Sequence, residues 1–206
     1  MAFYDEISYS VTPYVARVNK AIEFFNRNLP NNTDTGLMLC IAEGPTEGWP
    51  IFEGNEVPPL PTLTLSQLEN VIGFKRYKSM RFVTSDDAGI YSVGGLLWKP
   101  VSGSTVEENI YYARQVNSRW LYIETELDVD DLDVGDVYYR QIGLYSNLKI
   151  RTDVENYTTR KAFFPNEIVT TINQYNYDGI LEVYQNVNPK RRPIDFKETF
   201  SWVLEF

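Results

Sequence analysis

The sequence predicts an α+β fold: a predominantly antiparallel β-sheet, sandwich or barrel with two N-terminal helices. Three observations carry this. Residues 13–29 repeat apolar side chains at helical spacing, and Ser66 with Glu69 three residues on forms a capping-box pattern. After these, about seven runs alternate or are uniformly apolar over strand-like lengths. Helices first and strands afterwards is the order of an α+β chain. With 206 residues the chain suits a single domain spanning 1–206, with a proline-rich stretch at 43–63 as the one plausible seam.

In chain order, Thr12-Pro13 supplies an N-cap and a proline at the first helical position. Val18, Ile22, Phe25 and Leu29 then share one face, and Pro30 and Asn31 end the helix. Residues 37–42 are uniformly apolar, as in a strand buried on both sides. "EGPTEGWPIFEGNEVPPLP" carries too many prolines and glycines for a helix or ladder. It also holds Trp49, Ile51, Phe52 and Leu60, more large apolar groups than a disordered linker carries, so it reads as an ordered extended loop. The Ser66 capping box predicts a helix of two or three turns ending at Gly73. In "FKRYKSMRFVTSDD", Phe74, Met80 and Phe82 share a parity against Lys75, Ser79 and Arg81, which predicts a half-buried strand with a cationic outer face.

"AGIYSVGGLLWKP" reads as a strand bent at Gly94-Gly95. "SGSTVEENIYYARQVN" is ambiguous between helix and strand. "RWLYIETELD" and "VYYRQIGLYSNL" are strand-like and flank an acidic turn. The runs 180–186 and 196–206 flank "PKRRP" and read as a closing antiparallel hairpin. In the last run Phe196, Phe200, Trp202, Leu204 and Phe206 share one parity. Burying each contributes roughly 1.5–3 kcal/mol, so the strand is expected to be held along its length.

Charge and composition exclude several functions. A net charge of −9 repels nucleic acid, and Lys190, Arg191 and Arg192 form the one notable basic cluster. There is no histidine, which removes Ser-His-Asp and Cys-His catalysis and nearly all zinc sites. Cys40 stands alone in an apolar run and reads as a small core residue. No stretch approaches ~20 apolar residues, so no membrane insertion is expected, and "MAFYDEISYS" lacks the basic start of a signal peptide. The acidic run from Glu124 to Asp136 fails as a calcium loop. Counting from Asp128 puts Leu132 at the fifth position and Tyr139 at the twelfth, and counting from Asp131 puts Asp136 where glycine is required. "GIYSVGG" lacks the lysine of a phosphate-binding loop. Paired carboxylates of a glycosidase have no spacing signature among the 28 acids. No catalytic residue, cofactor or metal site is therefore expected.

What remains is aromatic surface: 15% of the chain, with 15 tyrosines. The proline-rich loop is the first choice for a partner interface, through Trp49, Pro50, Phe52, Pro58, Pro59 and Pro61, because proline lowers the entropy lost on docking. Trp49 and Phe52 are candidate anchors. The competing expectation is that both fold back as a plug over the sheet.

Several stretches together resemble a known family. "AIEFFNRN", "TGLMLCIAEGPTEGWP" and "NEVPPLP", through Phe24 to Asn26, Glu43 to Pro50 and Pro58 to Pro61, are similar to the N-terminal part of the gene-eight baseplate wedge subunit of T-even-like contractile-tailed phages. "YRQIGLYSNL" resembles that family's Arg-Gln-Ile strand. The closing run resembles its final hairpin through Tyr184, Gln185, Asn186, Pro189, Asp195, Glu198 and Phe206, with Trp202 and Leu204 inside the last strand. The likeness covers both ends, about half the chain; Val187 and Asn188 depart from the family's tip, and much of the longer family middle has no counterpart. It implies a structural virion protein in the tail baseplate, assembled in the host cytoplasm. Its expected partners are other baseplate wedge proteins and a second copy in a homodimer. The alternative is a glycan-binding host-recognition module of a phage tail.

Overall fold

The computed structural model describes residues 12–29, 35–132, 138–171, 176–191 and 197–206. In chain order these form α1 (Tyr14–Arg27), β1 (Thr35–Ala42), β2 (Ile51–Phe52), β3 (Asn55–Glu56), β4 (Val71–Arg76), β5 (Ser79–Ser85), β6 (Tyr91–Val93), β7 (Leu96–Pro100), α2 (Val106–Gln115), β8 (Trp120–Leu127), β9 (Tyr138–Lys149), β10 (Ala162–Phe163), a 3-10 turn at Pro165–Glu167, β11 (Ile180–Arg191) and β12 (Glu198–Glu205). Two five-stranded sheets have the orders β10-β4-β1-β9-β11 and β12-β8-β5-β7-β6, and β2 with β3 makes a small hairpin. The chain is α+β and its described strand pairs are antiparallel, in agreement with the predicted class.

The chain divides into two compact units. The first takes the described residues of Met1–Phe25, Arg81–Tyr122 and Trp202–Phe206; the second takes Asn26–Met80 and Ile123–Ser201.

In the second unit, β1 lies mid-sheet between β4 and β9, with Cys40 facing Phe74 on one side and Gly143 on the other. Its residues 36–42 are buried throughout, as the uniformly apolar run predicts. One face collects Met38, Cys40, Phe74, Tyr145, Leu148, Phe163 and Ile168 into a core. Phe74 meets the rings of Tyr145 and Tyr177 edge-on at 5.8 and 4.9 Å, the geometry aromatic quadrupoles favour. Full burial pushes the Cys40 thiol well above its ordinary pKa.

In the first unit, α1 buries Val18, Ala21, Ile22, Phe24 and Phe25. Phe24 packs on Phe206 and Phe25 on Phe82, with ring centroids 5.0 and 4.8 Å apart. The last residue is held by its backbone as well: the Phe206 N–H donates to Arg119 O at 3.1 Å. Trp202 is buried and Leu204 and Phe206 half-buried; Phe200, also buried, falls in the second unit, and Phe196 lies outside the described residues.

Several expectations need correction. The predicted helix after Ser66 is absent: residues 61–70 are irregular and Val71–Arg76 is strand. Its backbone donors have other partners, since the Leu68 N–H donates to Tyr145 Oη at 2.8 Å and the Glu69 N–H to Gln141 Oε1 at 2.9 Å. Asn70, at φ 51, then turns the chain out of any helical path. The second helix is α2, from the stretch left ambiguous. Thr105 caps it by accepting the Glu108 N–H at 3.1 Å, and Glu108 reaches back to the Ser104 N–H at 2.6 Å. "FKRYKSMRF" is two strands, and Lys75 is 4% exposed where a cationic outer face was expected. It is buried against Asp131, which it contacts directly, and Asp128, 3.5 Å away. Gly94-Gly95 does not bend one strand but turns between two, both residues at positive φ (62 and 77), as a two-residue hairpin loop requires.

The closing runs are long strands, as expected, but they do not pair as a hairpin. β11 pairs with β9 at the edge of one sheet, and β12 lies beside β8 in the other. Period-two alternation marks a strand without naming its neighbour. Part of the "PKRRP" tip, residues 192–193, lies outside the described residues.

Candidate protein-interaction site

The segment between β1 and β4 leaves the sheet and returns to it at one place. The Glu43 and Gly44 N–H groups donate to Asn70 O and Glu69 O, each at 3.0 Å. Asn70 Nδ2 closes the neck further by donating to Gly44 O at 2.9 Å. Gly44 holds φ 81 there, a conformation open to glycine at no steric cost.

From the neck, Gly48 turns the chain so that Trp49 points inward. The indole is 5% exposed, and its Nε1–H donates to Val187 O of β11 at 2.9 Å. Glu56 receives the Trp49 N–H at 3.0 Å and a two-pronged bond from Arg140 of β9, at 2.6 Å from Nε and 2.8 Å from Nη2. The Arg140 bonds, then the Trp49 N–H, lower the Glu56 carboxyl from the usual 4.5 to about 2. Between Trp49 and Glu56, β2 and β3 form a minimal hairpin turned by Glu53 (φ 49) and Gly54 (φ 83).

The proline run is fixed from β11 as well. Asn186 Nδ2 donates to Pro59 O at 2.9 Å, and Tyr184 Oη donates to Thr62 O at 3.0 Å while accepting the Thr62 N–H. Gln141 Nε2 in turn donates to Asn186 Oδ1 at 3.1 Å, so β9 orients the side chain that holds the loop. Tyr184 and Asn186 share a parity on β11, and Gln141 sits opposite Asn186 in register. Tyr184, Asn186 and Gln141 thus hold residues 59–69, while Arg140 and the Val187 carbonyl hold Trp49 and Glu56.

The sequence-selected residues therefore come together. Trp49, Pro59, Tyr184 and Asn186, more than 120 residues apart in the chain, belong to one hydrogen-bonded assembly. Pro58 is half-buried, and Pro50, Phe52, Pro59 and Pro61 are exposed. Pro189 stands in the irregular stretch where the β11–β9 register slips between Asn186 and Lys190. Trp202, Leu204 and Phe206 belong to the other run and are not in this assembly. Reading the sequence missed Ile51 and Leu63 as surface groups, and Arg140, Gln141 and Glu56 as braces. Polar residues inside an otherwise apolar strand were the available signal for the first two braces.

The pinned loop exposes large apolar side chains among its polar ones. Ile51 is 68% exposed, Phe52 66%, Leu60 87% and Leu63 fully so. A cleft of about 330 Å³ in the same unit is lined by Lys75, Arg76, Tyr77, Lys78 and Lys161. Its cations are mostly engaged already: Lys75 by Asp131 and Asp128, Lys78 by Glu124 and Glu126, Arg76 by the carbonyls of Tyr157 and Arg160. Among the described residues, no group of three or more His, Cys, Asp or Glu is placed to hold a metal ion, and no helix is long and apolar enough to cross a membrane.

A family model described as "Baseplate wedge 3 tail fiber network component" matches residues 39–206. The chain belongs to this family. Membership makes it a structural component of the phage tail baseplate, located in the virion tail. The matched region of this baseplate component contains the pinned loop, the β9–β11 pair that holds it and both closing strands, and it leaves α1 outside. No curated protein matches the chain.

Proposed function

We propose that this baseplate component, working as one domain over 1–206, acts through protein–protein contacts with other wedge proteins and performs no catalysis. Its principal docking surface is the pinned loop. The observation that supports this is the pairing of exposed apolar side chains with a fixed inner side: Ile51, Phe52, Leu60 and Leu63 face outward while Trp49, Glu56, Pro59 and Thr62 are tied to β9 and β11. A loop already ordered loses little entropy on docking, and large exposed apolar side chains are the usual anchors of an interface.

On this reading Trp49 braces the surface from beneath, and Phe52 with Leu60 meets the partner. Pro50, Pro58, Pro59 and Pro61 keep the segment extended. The closing strands that carry Tyr184, Asn186, Pro189, Trp202, Leu204 and Phe206 serve the fold. Homodimer formation, incorporation into a contractile tail and assembly in the host cytoplasm, which the resemblance implies, belong to the same reading.

The test is co-expression with the other wedge proteins of the same phage. A stable complex that Phe52→Asp with Leu60→Asp abolishes, at an unchanged melting temperature, supports the proposal. Complexes unaffected by that pair of changes reject the loop as the interface. Specific binding on a glycan array, with no wedge complex, would favour host recognition instead. Light scattering of the purified chain tests the dimer.

A further inference from the structure

We propose that the side chains of Lys75 and Asp131 close an amide bond, an internal covalent cross-link that forms unaided once the second unit has folded, with Asp128 carrying the proton. The bond is independent of the docking surface.

The strand frame brings the three groups together. Lys75 lies in β4 where that strand is paired on both sides, with Leu39 of β1 and Ala162 of β10 as its register partners. Its side chain is 5% exposed. The turn after β8 delivers both carboxylates. The Asp131 N–H donates to Asp128 O at 3.1 Å, and the Asp128 N–H donates to Asp131 Oδ2 at 2.7 Å. Leu132, buried and at φ 52, then seats on Gly73, two residues before Lys75 and so on the same face of β4. A Cβ at Gly73 would stand 2.4 Å from Leu132 Cδ2, so glycine is what admits the leucine. Asp131 is thereby set over Lys75. The Lys75 Nζ touches Asp131 Oδ2, one bond from Cγ, and lies 3.5 Å from Asp128 Oδ2. Lys197 Nζ, 2.8 Å from Asp128 Oδ1, orients the second carboxylate.

Each part has a use in amide formation. In water, solvation of the two charges holds an ammonium and a carboxylate back from condensing. Here burial has removed most of that solvation, and a neutral amide is tolerated better than an ion pair in a dry site. Contact between nitrogen and carboxyl replaces a chance encounter. The Asp128 N–H sits on the oxygen that becomes negative when Cγ turns tetrahedral, the position of an oxyanion donor. The Asp128 carboxylate is within reach of the nitrogen as a general base and then a general acid.

The step balances without a further reactant. Through Asp128, one ammonium proton passes to Asp131 Oδ1, which leaves a neutral amine beside a carboxylic acid. The Nζ lone pair forms the bond to Cγ, and the carbonyl pair moves onto Oδ2. Asp128 takes a second proton from the nitrogen and gives it to the Oδ1 hydroxyl, which leaves as water while the Oδ2 carbonyl re-forms. An ammonium and a carboxylate become an amide and a water, and nothing is oxidised or reduced. Asp128, 42% exposed against 15% for Asp131, marks the solvent side by which the water departs.

Intact-mass spectrometry of the full chain, purified folded and then denatured, distinguishes a cross-link from an ion pair. The expected wild-type mass is lower than that of the sequence by one water, and a tryptic digest holds the Lys75 and Asp131 peptides joined. Lys75→Arg and Asp131→Ala are expected to regain the full mass and to give separate peptides, and Asp128→Asn to leave most of the chain uncross-linked. Full sequence mass and separate peptides in the wild type overturn the proposal and leave an ion pair only. A missing water that persists in Lys75→Arg also overturns it, by placing the dehydration elsewhere. Complete cross-linking in Asp128→Asn overturns the role of that carboxylate. The wild-type mass and digest decide the bond by themselves, so a variant that fails to fold does not obscure the result. Phe52→Asp with Leu60→Asp, whatever it does to docking, is expected to keep the joined peptides.

Discussion

Replacing Trp49 with alanine tests whether the docking loop is held from beneath. The indole is 5% exposed and its Nε1–H lies 2.9 Å from Val187 O. Truncating a buried tryptophan costs ~3–5 kcal/mol in lost burial and cavity formation. Roughly 1 kcal/mol of that belongs to the hydrogen bond. Trp49→Phe keeps one six-membered ring but loses the donor and part of the buried ring surface, so it is expected to cost ~1–3 kcal/mol with Val187 O left unpaired. Urea denaturation gives the cost if the loop opens with the rest of its unit. If the loop opens alone, amide exchange reports it: the Gly48 and Val57 N–H groups, bonded to Pro45 O and Pro50 O at 2.9 Å each, exchange faster by roughly two to four decades at one decade per 1.4 kcal/mol. A Trp49→Ala protein with a shift below ~1 kcal/mol and unchanged exchange over residues 48–62 would refute the reasoning. The loop would then be held by its polar ties to Tyr184 and Asn186 alone.

Further outcomes follow from the same geometry. The Glu56 carboxyl has its pKa lowered from 4.5 to about 2 in the folded chain; its stabilising contribution is complete above the unfolded value and fades as pH falls from about 4.5 towards about 2. Tryptophan fluorescence should report an acid-induced change in that window, and Glu56→Gln should flatten it. Asp131→Ala leaves the buried Lys75 ammonium without its closest carboxylate and is expected to cost ~3 kcal/mol or more in urea denaturation. Gly89→Ala sets a methyl group against the Trp98 backbone, 2.6 Å from its carbonyl carbon. Moving β7 to relieve this is expected to cost ~1–3 kcal/mol and to weaken the Tyr91–Tyr122 near-ultraviolet signal.

Much of the fold was legible because local pattern and tertiary demand agreed. Residues 18, 22 and 25 at helical spacing gave α1, the apolar run 37–42 gave a doubly buried strand, and alternation gave β8 and β9. The failures have particular causes. Ser66 and Glu69 imitate a helix start, but Tyr145 and Gln141, more than 70 residues away, take the donors that a first turn would leave free. Thr105 and Glu108 make the same capping pattern and do start a helix. There the donors are met locally, the Glu108 N–H by Thr105 and the Ser104 N–H by Glu108, and only the tertiary structure tells the two apart. Lys75 could not be recognised as buried, because its partners Asp128 and Asp131 lie beyond the intervening β8. At the candidate site, the proline-rich loop was legible as ordered from its apolar content. That Tyr184 and Asn186 are what order it was not, since hydrogen-bonding partners across more than 120 residues leave no spacing to read.

Cys40 has a practical consequence. It is the chain's sole thiol, it shows no exposed surface, and it sits on the strand flanked by hydrogen-bonded neighbours on both sides. A thiol reagent reaches it only when the packing over that face of the sheet, by Leu68, Phe163 and Ile168 among others, opens. Its labelling rate is therefore a built-in clock for the opening of that core, readable by mass inside an intact tail as readily as in the isolated chain.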